Sequence, residues 1–147
     1  MGPHPDFADG MPETATIADL HLTPLGPADL VEDFAAVTES AEALSGLFGD
    51  TWPAGLTLER NLEDLMWHRK EFRDRRSFAW VLRGAAAGDY RGCAYLYPEI
   101  GGRGTARAFV WFRTGALAPV AAAEATGAIL AWLRATAPVT VSFQDPG

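Results

Sequence analysis

Apolar residues recur at helical spacing in three parts of the chain. The first stretch opens at Gly26–Pro27, where proline suits the first turn of a helix because no backbone N–H is needed there. Its apolar residues follow at steps of four, three, four and three: Leu30, Phe34, Val37, Ala41 and Leu44. One helical face therefore carries them all. Two further helices are predicted from about residue 58 to 73 and from about residue 119 to 135.

Between the second and third helices, the apolar period changes to two. The segments at 77–83 (SFAWVLR), 91–97 (RGCAYLY) and 106–113 (ARAFVWFR) alternate in polarity and are rich in aromatic residues, as strands are. Turn-forming sequences separate them, so an antiparallel meander is predicted. Weaker alternation predicts a first strand at 16–23 and a last one at 139–143.

These elements follow in the order β-α-α-β-β-β-α-β. The predicted fold class is α/β (α+β), a mixed, mostly antiparallel sheet flanked by helices. Residues 16–147 form a single domain, because 147 residues with 48% hydrophobic content supply one core. Residues 1–15 are rich in proline, glycine and acids, and we expect a flexible N-terminal arm there.

Charge is distributed unevenly. The net charge is −7, and residues 1–50 contain ten acids but no Lys or Arg. Binding of nucleic acid through a broad basic surface is therefore not expected. The densest basic group is Arg69, Lys70, Arg73, Arg75 and Arg76. It is either a solvated helix face or the region that an anionic ligand would meet.

Cysteine and histidine usage limits the chemistry further. Cys93 is the only cysteine, so no intramolecular disulfide forms, and its mid-strand position favours a buried apolar role. The three histidines lack metal-ligand spacing, so no metal is expected. Residues 1–10 do not resemble a signal peptide, and no stretch reads as a membrane span. We therefore expect a cytoplasmic protein.

The element order resembles the GNAT superfamily of acyl-CoA-dependent N-acetyltransferases over about residues 16–147. The local likeness is clearest in RGCAYLYP (91–98), AFVWFR (108–113) and ILAWLRA (129–135). The resemblance implies that acetyl-CoA or another acyl-CoA lies between splayed fourth and fifth strands. Its pantetheine arm would pair with the backbone of the fourth strand, and its pyrophosphate would lie on the start of the third helix.

Donor positions follow from this resemblance. They are Val110, Trp111, Phe112, Arg113, Leu117, Ala118, Val120, Ala122 and Ala123. The family motif is Gln or Arg, two residues, Gly, one residue, then Gly or Ala; it falls on Leu117, Val120 and Ala122, and only Ala122 conforms. Backbone N–H groups at a helix start bind phosphate without charged side chains. Either main chain and Arg113 hold the donor, or the donor has been lost or changed.

Candidates for the chemistry are sparse. The fourth strand lacks the carboxylate that many family members use, the fifth offers Ser142 and Gln144, and residues 144–147 include no tyrosine to act as the family's usual acid. His68 titrates closest to neutral pH and is the candidate base, or else a boundary histidine of a basic helix. Asp50 is a second candidate, or else a turn acid.

Aromatic side chains provide candidate substrate contacts, namely Trp52, Trp80, Tyr95 and Tyr97. They line an apolar pocket or simply pack across strands. The predicted function is transfer of an acyl group, expected to be acetyl, from acyl-CoA to a small-molecule amine. The alternative is a degenerate GNAT fold that binds a ligand or protein, or that performs other chemistry in an aromatic pocket. A free sheet edge favours a homodimer.

Overall fold

The computed structural model describes residues 2–143. Its strands are β1 (Ala15–Ile17), β2 (Leu20–Pro24), β3 (Phe78–Gly84), β4 (Tyr90–Pro98), β5 (Thr105–Phe112) and β6 (Thr140–Phe143). Its helices are α1 (Leu30–Glu39), α2 (Ala41–Leu44), α3 (Leu58–Arg73) and α4 (Pro119–Thr136), with short 3-10 turns at Pro5–Phe7 and Pro27–Asp29. No helix within these residues is both long and apolar enough to cross a bilayer.

Two predicted elements divide where the backbone turns. The first predicted strand is a hairpin of β1 and β2, because Ala18 and Asp19 adopt positive φ angles of 49° and 63°. The predicted fourth and fifth strands are consequently β5 and β6. The first predicted helix breaks at Ser40, whose buried hydroxyl lies 3.0 Å from the backbone nitrogen of Thr114 and accepts its hydrogen bond. This contact ties the end of α1 to the segment after β5.

The six strands lie in sequence order across one sheet. Neighbouring strands are antiparallel except for β5 and β6, which are parallel because α4 crosses over between them. Their pairing runs from Thr105↔Thr140 to Ala108↔Phe143, and Phe143 is the last described residue. The predicted mixed, mostly antiparallel sheet flanked by helices is confirmed.

One face of the sheet packs against α4. Trp80 and Leu96 from the sheet meet Ile129 and Leu133 of the helix in a single buried cluster. Phe7 belongs to the same cluster, with 1% of its surface exposed and its ring 5.2 Å from that of Phe78. The N-terminal segment expected to be a flexible arm is therefore packed on the core, because an apolar side chain anchors it.

The opposite face packs against α1, α2 and α3. Cys93 is fully buried on this side, as the sequence predicts. Gly92 of β4 pairs with Phe112 of β5, and only glycine fits there, because a Cβ would lie 2.0 Å from the backbone oxygen of Trp111. Any side chain would push β5 away at the very end of the strand that borders the site described next.

Candidate functional site

A cavity of about 470 Å³ opens on the helix-covered face of β4 and β5. We call it the aromatic cavity. Its rings come from α3, from the loop before α3 and from the two strands: Phe48, Trp52, Trp67, Tyr95, Tyr97 and Phe109. Its polar side chains are Asp33, Asp50, Asn61, Asp64, His68 and Arg107. Five predicted site residues thus meet in one place: His68, Asp50, Trp52, Tyr95 and Tyr97.

Phe48 contacts three of the other rings of the cavity. Its ring centroid lies 4.9 Å from that of Phe109, 5.2 Å from that of Tyr95 and 5.3 Å from that of Trp52. These are edge-to-face or tilted contacts, the arrangements that aromatic quadrupoles favour. The indole N–H of Trp111 donates a 2.9 Å hydrogen bond to the hydroxyl of Tyr95 and so holds that side chain in place.

Trp80, expected at this cavity, lies on the opposite face of the sheet instead. Residues directly opposite each other on neighbouring strands share a face. Trp80 pairs with Ala94, whereas Ala79 pairs with Tyr95. The indole therefore points into the α4 core, where its N–H donates to the backbone oxygen of Pro12 at 3.1 Å.

His68 lies half-buried between two aromatic rings. Its centroid is 5.6 Å from that of Tyr95 and 5.0 Å from that of Trp67. Burial disfavours the charged imidazolium and lowers the pKa of His68 to about 4. At neutral pH the ring is therefore uncharged and can accept a proton, and it does not repel a cation that enters the cavity.

Two of the lining side chains, Asp50 and Asp64, are acids that favour a cationic ligand over an anionic one. Asp50 accepts a 3.0 Å hydrogen bond from the backbone N–H of Trp52, which is the turn role considered for it, and its side chain also lines the cavity. Burial raises the pKa of Asp64, partly offset by Arg60. Arg107 is the one guanidinium among the lining residues described.

Asp33 of α1 is a buried carboxyl that was not among the predicted site residues. It is 3% exposed, and its two oxygens accept hydrogen bonds from the Asn61 amide, at 2.9 Å, and from the Tyr90 hydroxyl. Both donors are neutral, and burial raises the pKa of Asp33. The sequence could have predicted the burial of Asp33. It follows Leu30 by three residues and precedes Val37 by four, so it lies on the apolar face of α1.

The second half of β5, beyond Ala108, has no partner on its β6 side among the described residues, which end at Phe143; we call this edge of β5 the wedge. Arg113 N–H and Thr105 C=O both bond to β4, so odd-numbered residues of β5 direct their backbone groups to that side. By alternation, Val110 and Phe112 direct theirs to the wedge. Trp111 does not: its backbone groups pair with Cys93, and its side chain is buried.

The wedge and the aromatic cavity meet. A smaller cavity of about 150 Å³ at the wedge is lined by Arg107, Ala108, Phe109, Ser142 and Phe143, and it shares Arg107 and Phe109 with the larger one. The Ser142 hydroxyl lies here and donates to the backbone oxygen of Ala106 at 3.3 Å. Gln144, the other residue considered on this strand, lies outside the described residues.

The start of α4 follows the wedge and has no side-chain cap. Ala118 is the N-cap and Pro119 the first helical residue. The N–H of Ala122 bonds back to Ala118, while those of Val120 and Ala121 have no protein acceptor among the described residues. Val120 is 71% exposed.

The residues that flank this helix start have other partners. Leu117, at the position of the motif's Gln or Arg, packs against the core, and Ala123 is exposed on the first turn. Arg113 is held by Glu39 of α1, with two nitrogen–oxygen distances of 2.7 and 2.8 Å. Backbone amides and the helix dipole are therefore the main positive features of this surface.

Comparisons with known proteins agree at the level of the fold. The ribosomal-protein-S5-alanine acetyltransferase of Vibrio fischeri superposes with a TM-score of 0.65 at 10% identity, covering 83% of this chain and 67% of that protein. The ribosomal L7/L12 alpha-N-protein acetyltransferase RimL, in complex with coenzyme A, gives 0.64 at 11%, covering 84% and 66%. The microcin C7 self-immunity acetyltransferase, with acetyl-CoA and AMP, gives 0.62 at 9%, covering 78% and 62%.

The likeness is one of structure only. No protein-family model matches the sequence, and no curated protein matches it. This chain spans about two thirds of the length of the three acetyltransferases. The mostly antiparallel sheet with its parallel pair at the end is nevertheless the one expected from the sequence resemblance. The chain therefore has the GNAT fold, the fold of the acyl-CoA-dependent N-acetyltransferases.

Proposed function

We propose that this protein is an acyl-CoA-dependent N-acyltransferase that transfers acetyl to a small-molecule amine. One observation carries the proposal: the second half of β5 and the uncapped start of α4 that follows it adjoin a cavity with aromatic walls and several carboxyl groups. The first two features suit a thioester donor with a diphosphate, and the third suits a cationic amine. The similar structures with bound coenzyme A or acetyl-CoA support the choice of donor.

The donor would bind mainly to main chain. The backbone groups of Val110 and Phe112 would bind an extended pantetheine arm, as they would bind an added strand. The N–H groups of Val120 and Ala121 would bind the diphosphate, with the small side chains around Ala118 and Ala122 allowing close approach. No lysine or arginine at the helix start is needed for this mode of binding.

The acceptor would enter the aromatic cavity as an ammonium ion. Ring faces and carboxylates together attract organic cations. Asp50 and Asp64 lie at positions to hold the ammonium, and the uncharged His68 ring adds no repulsion. The amine must lose a proton before it attacks, and we assign His68 as the proton acceptor.

Attack by the free amine would then transfer the acetyl group. The free amine attacks the thioester carbonyl carbon, and the oxygen that gains charge would be stabilised by the N–H of Val110. The carbon–sulfur bond breaks, the attacking nitrogen gives up its second proton as the amide is formed, and that proton passes to the leaving thiolate. Ser142, whose hydroxyl lies at the wedge, is our candidate for relaying that proton to the sulfur.

Calorimetric titration with acetyl-CoA, followed by an acetylation assay on a panel of primary amines, tests the proposal. We expect micromolar binding of the donor and turnover that His68→Gln reduces by about 100-fold or more. Absence of any heat or melting shift at millimolar acetyl-CoA would refute the donor assignment.

One observation favours a second candidate, a ligand-binding protein without acyl transfer. Leu117 and Val120 replace polar and glycine positions of the motif, and Arg113 is bound to Glu39. The aromatic cavity would then bind a cationic ligand by itself. Amine binding that is saturable, with no donor binding in the same titrations, would select this function.

A further inference from the structure

A second cavity of about 490 Å³ adjoins the aromatic cavity. It lies between the N-terminal segment, the end of α3 and the turn that joins β4 to β5. Trp67 and Tyr97 line both cavities, so the two meet across these rings. The aromatic cavity carries the aspartates, and the second cavity beyond these rings differs from it in character.

The walls of the second cavity include unusually exposed apolar side chains. Ile100 is 99% exposed and Trp67 is 47% exposed, and both line it. Pro5 and Pro98 add further apolar surface. Single exposed apolar residues are ordinary, but two that face one concave surface beside a binding cavity indicate a site for an apolar group.

The polar groups of the second cavity already have partners within the protein. Arg103 pairs with Asp6 at 2.6 Å, and Arg76 lies 3.9 Å from Glu71. Both ring nitrogens of His4 are engaged, one with the backbone oxygen of Glu99 and the other with the backbone N–H of Asp6. Charge recognition is therefore confined to the aromatic cavity.

A polypeptide acceptor fits this second cavity less well than an apolar chain. Within residues 2–143 no unpaired strand edge lines it, since β4, whose end it touches, is paired on both sides. A peptide backbone buried there would leave amide groups without hydrogen-bond partners, which is unfavourable. A hydrocarbon or aryl chain makes no such demand.

We infer that the acceptor is an elongated primary amine, whose ammonium group lies in the aromatic cavity and whose apolar tail passes Trp67 and Tyr97 into the second cavity. This inference rests on the proposed function for the identity of the reacting group. It adds the substrate class: amines with an alkyl or aryl tail are preferred to short or polar ones. Ile100 becomes a specificity-determining residue that contacts the far part of the tail.

The test is a series of unbranched alkylamines from about four to ten carbons, measured for acetylation and, without donor, for binding by calorimetry. Each methylene that enters the apolar cavity should improve affinity or kcat/KM by about fourfold. Ile100→Ser should lower the value for octylamine about tenfold more than that for butylamine. Val31→Ser, which alters a 77% exposed residue of α1 that lines neither cavity, is the matched control and should leave the series unchanged.

The outcomes separate the two proposals. Acetylation that is independent of chain length, or equal effects of Ile100→Ser on short and long amines, overturns the inference and leaves the proposed function intact. A polar peptide amide that outcompetes octylamine also overturns it. Binding that depends on chain length and on Ile100, without any acetylation, supports the inference and refutes the proposed function.

Discussion

Charge reversal at Val120 tests most directly whether a diphosphate binds at the start of α4. The side chain is 71% exposed on the first turn, beside its own N–H and that of Ala121. Two unit charges 4 Å apart interact by about 1 kcal/mol in bulk water. A diphosphate presents at least two charges, so Val120→Glu should weaken coenzyme A binding by about 1–2 kcal/mol and Val120→Arg should strengthen it similarly.

The fold responds to the same substitutions with the opposite sign. An acidic side chain in the first turn of a helix stabilises it by about 0.5 kcal/mol, and a basic one destabilises it by a similar amount. The Glu variant should therefore melt at a slightly higher temperature and the Arg variant at a slightly lower one. A change in ligand affinity that follows the charge cannot then be explained by partial unfolding.

Isothermal titration with coenzyme A at low and at high salt provides the measurement. We expect dissociation constants of the two variants to differ by about 30-fold or more at low salt and to converge as salt screens the charges. Pantetheine, which lacks the diphosphate, is the control and should bind both variants alike. Equal effects of the two substitutions, or the same difference with pantetheine, would refute placement of the diphosphate at this helix.

Three further predictions concern the cavity and its surroundings. The pKa of His68 falls from 6.5 to about 4 on folding, so the folded protein binds this proton more weakly than the unfolded chain does. The free energy of unfolding should therefore rise by about 3 kcal/mol from pH 4 to 6.5. In denaturant titrations, His68→Gln should flatten that rise. Glu39→Gln releases Arg113, so it should change the free energy of unfolding by less than about 1 kcal/mol and lower the dissociation constant of coenzyme A severalfold in calorimetry. Trp111→Phe removes a buried hydrogen bond to Tyr95, so it should lower the free energy of unfolding by about 1–3 kcal/mol and raise KM for amines. Trp80→Phe removes a hydrogen bond on the opposite face of the sheet, so it should destabilise the fold without changing that KM.

Local patterns predicted most of the elements because their signals are strong and short-ranged. The second helix was predicted from about residue 58 to 73, and α3 has those bounds. The meander strands were placed within a residue or so, since aromatic alternation and glycine-rich turns are both local features. The hairpin of β1 and β2 was missed because its two turn residues are Ala18 and Asp19, not the glycine or asparagine that usually marks such a turn.

Which side chains meet was decided by pairing register and by contacts between distant segments. Trp80 belongs to the same aromatic alternation as Tyr95, yet register places it on the other face, because a shift of one residue reverses every side chain of a strand. The cavity combines Asp33, Asp64 and Arg107, which are far apart in the chain.

The sequence by itself thus determined the elements, their order and the apolar faces, since these depend on spacing within one segment. The parallel pairing of β5 with β6 depends on the α4 crossover, and the two adjoining cavities depend on Trp67 of α3 and Tyr97 of β4, which line both of them. Only the tertiary structure could decide these features, because no local pattern records which face of one segment will meet another.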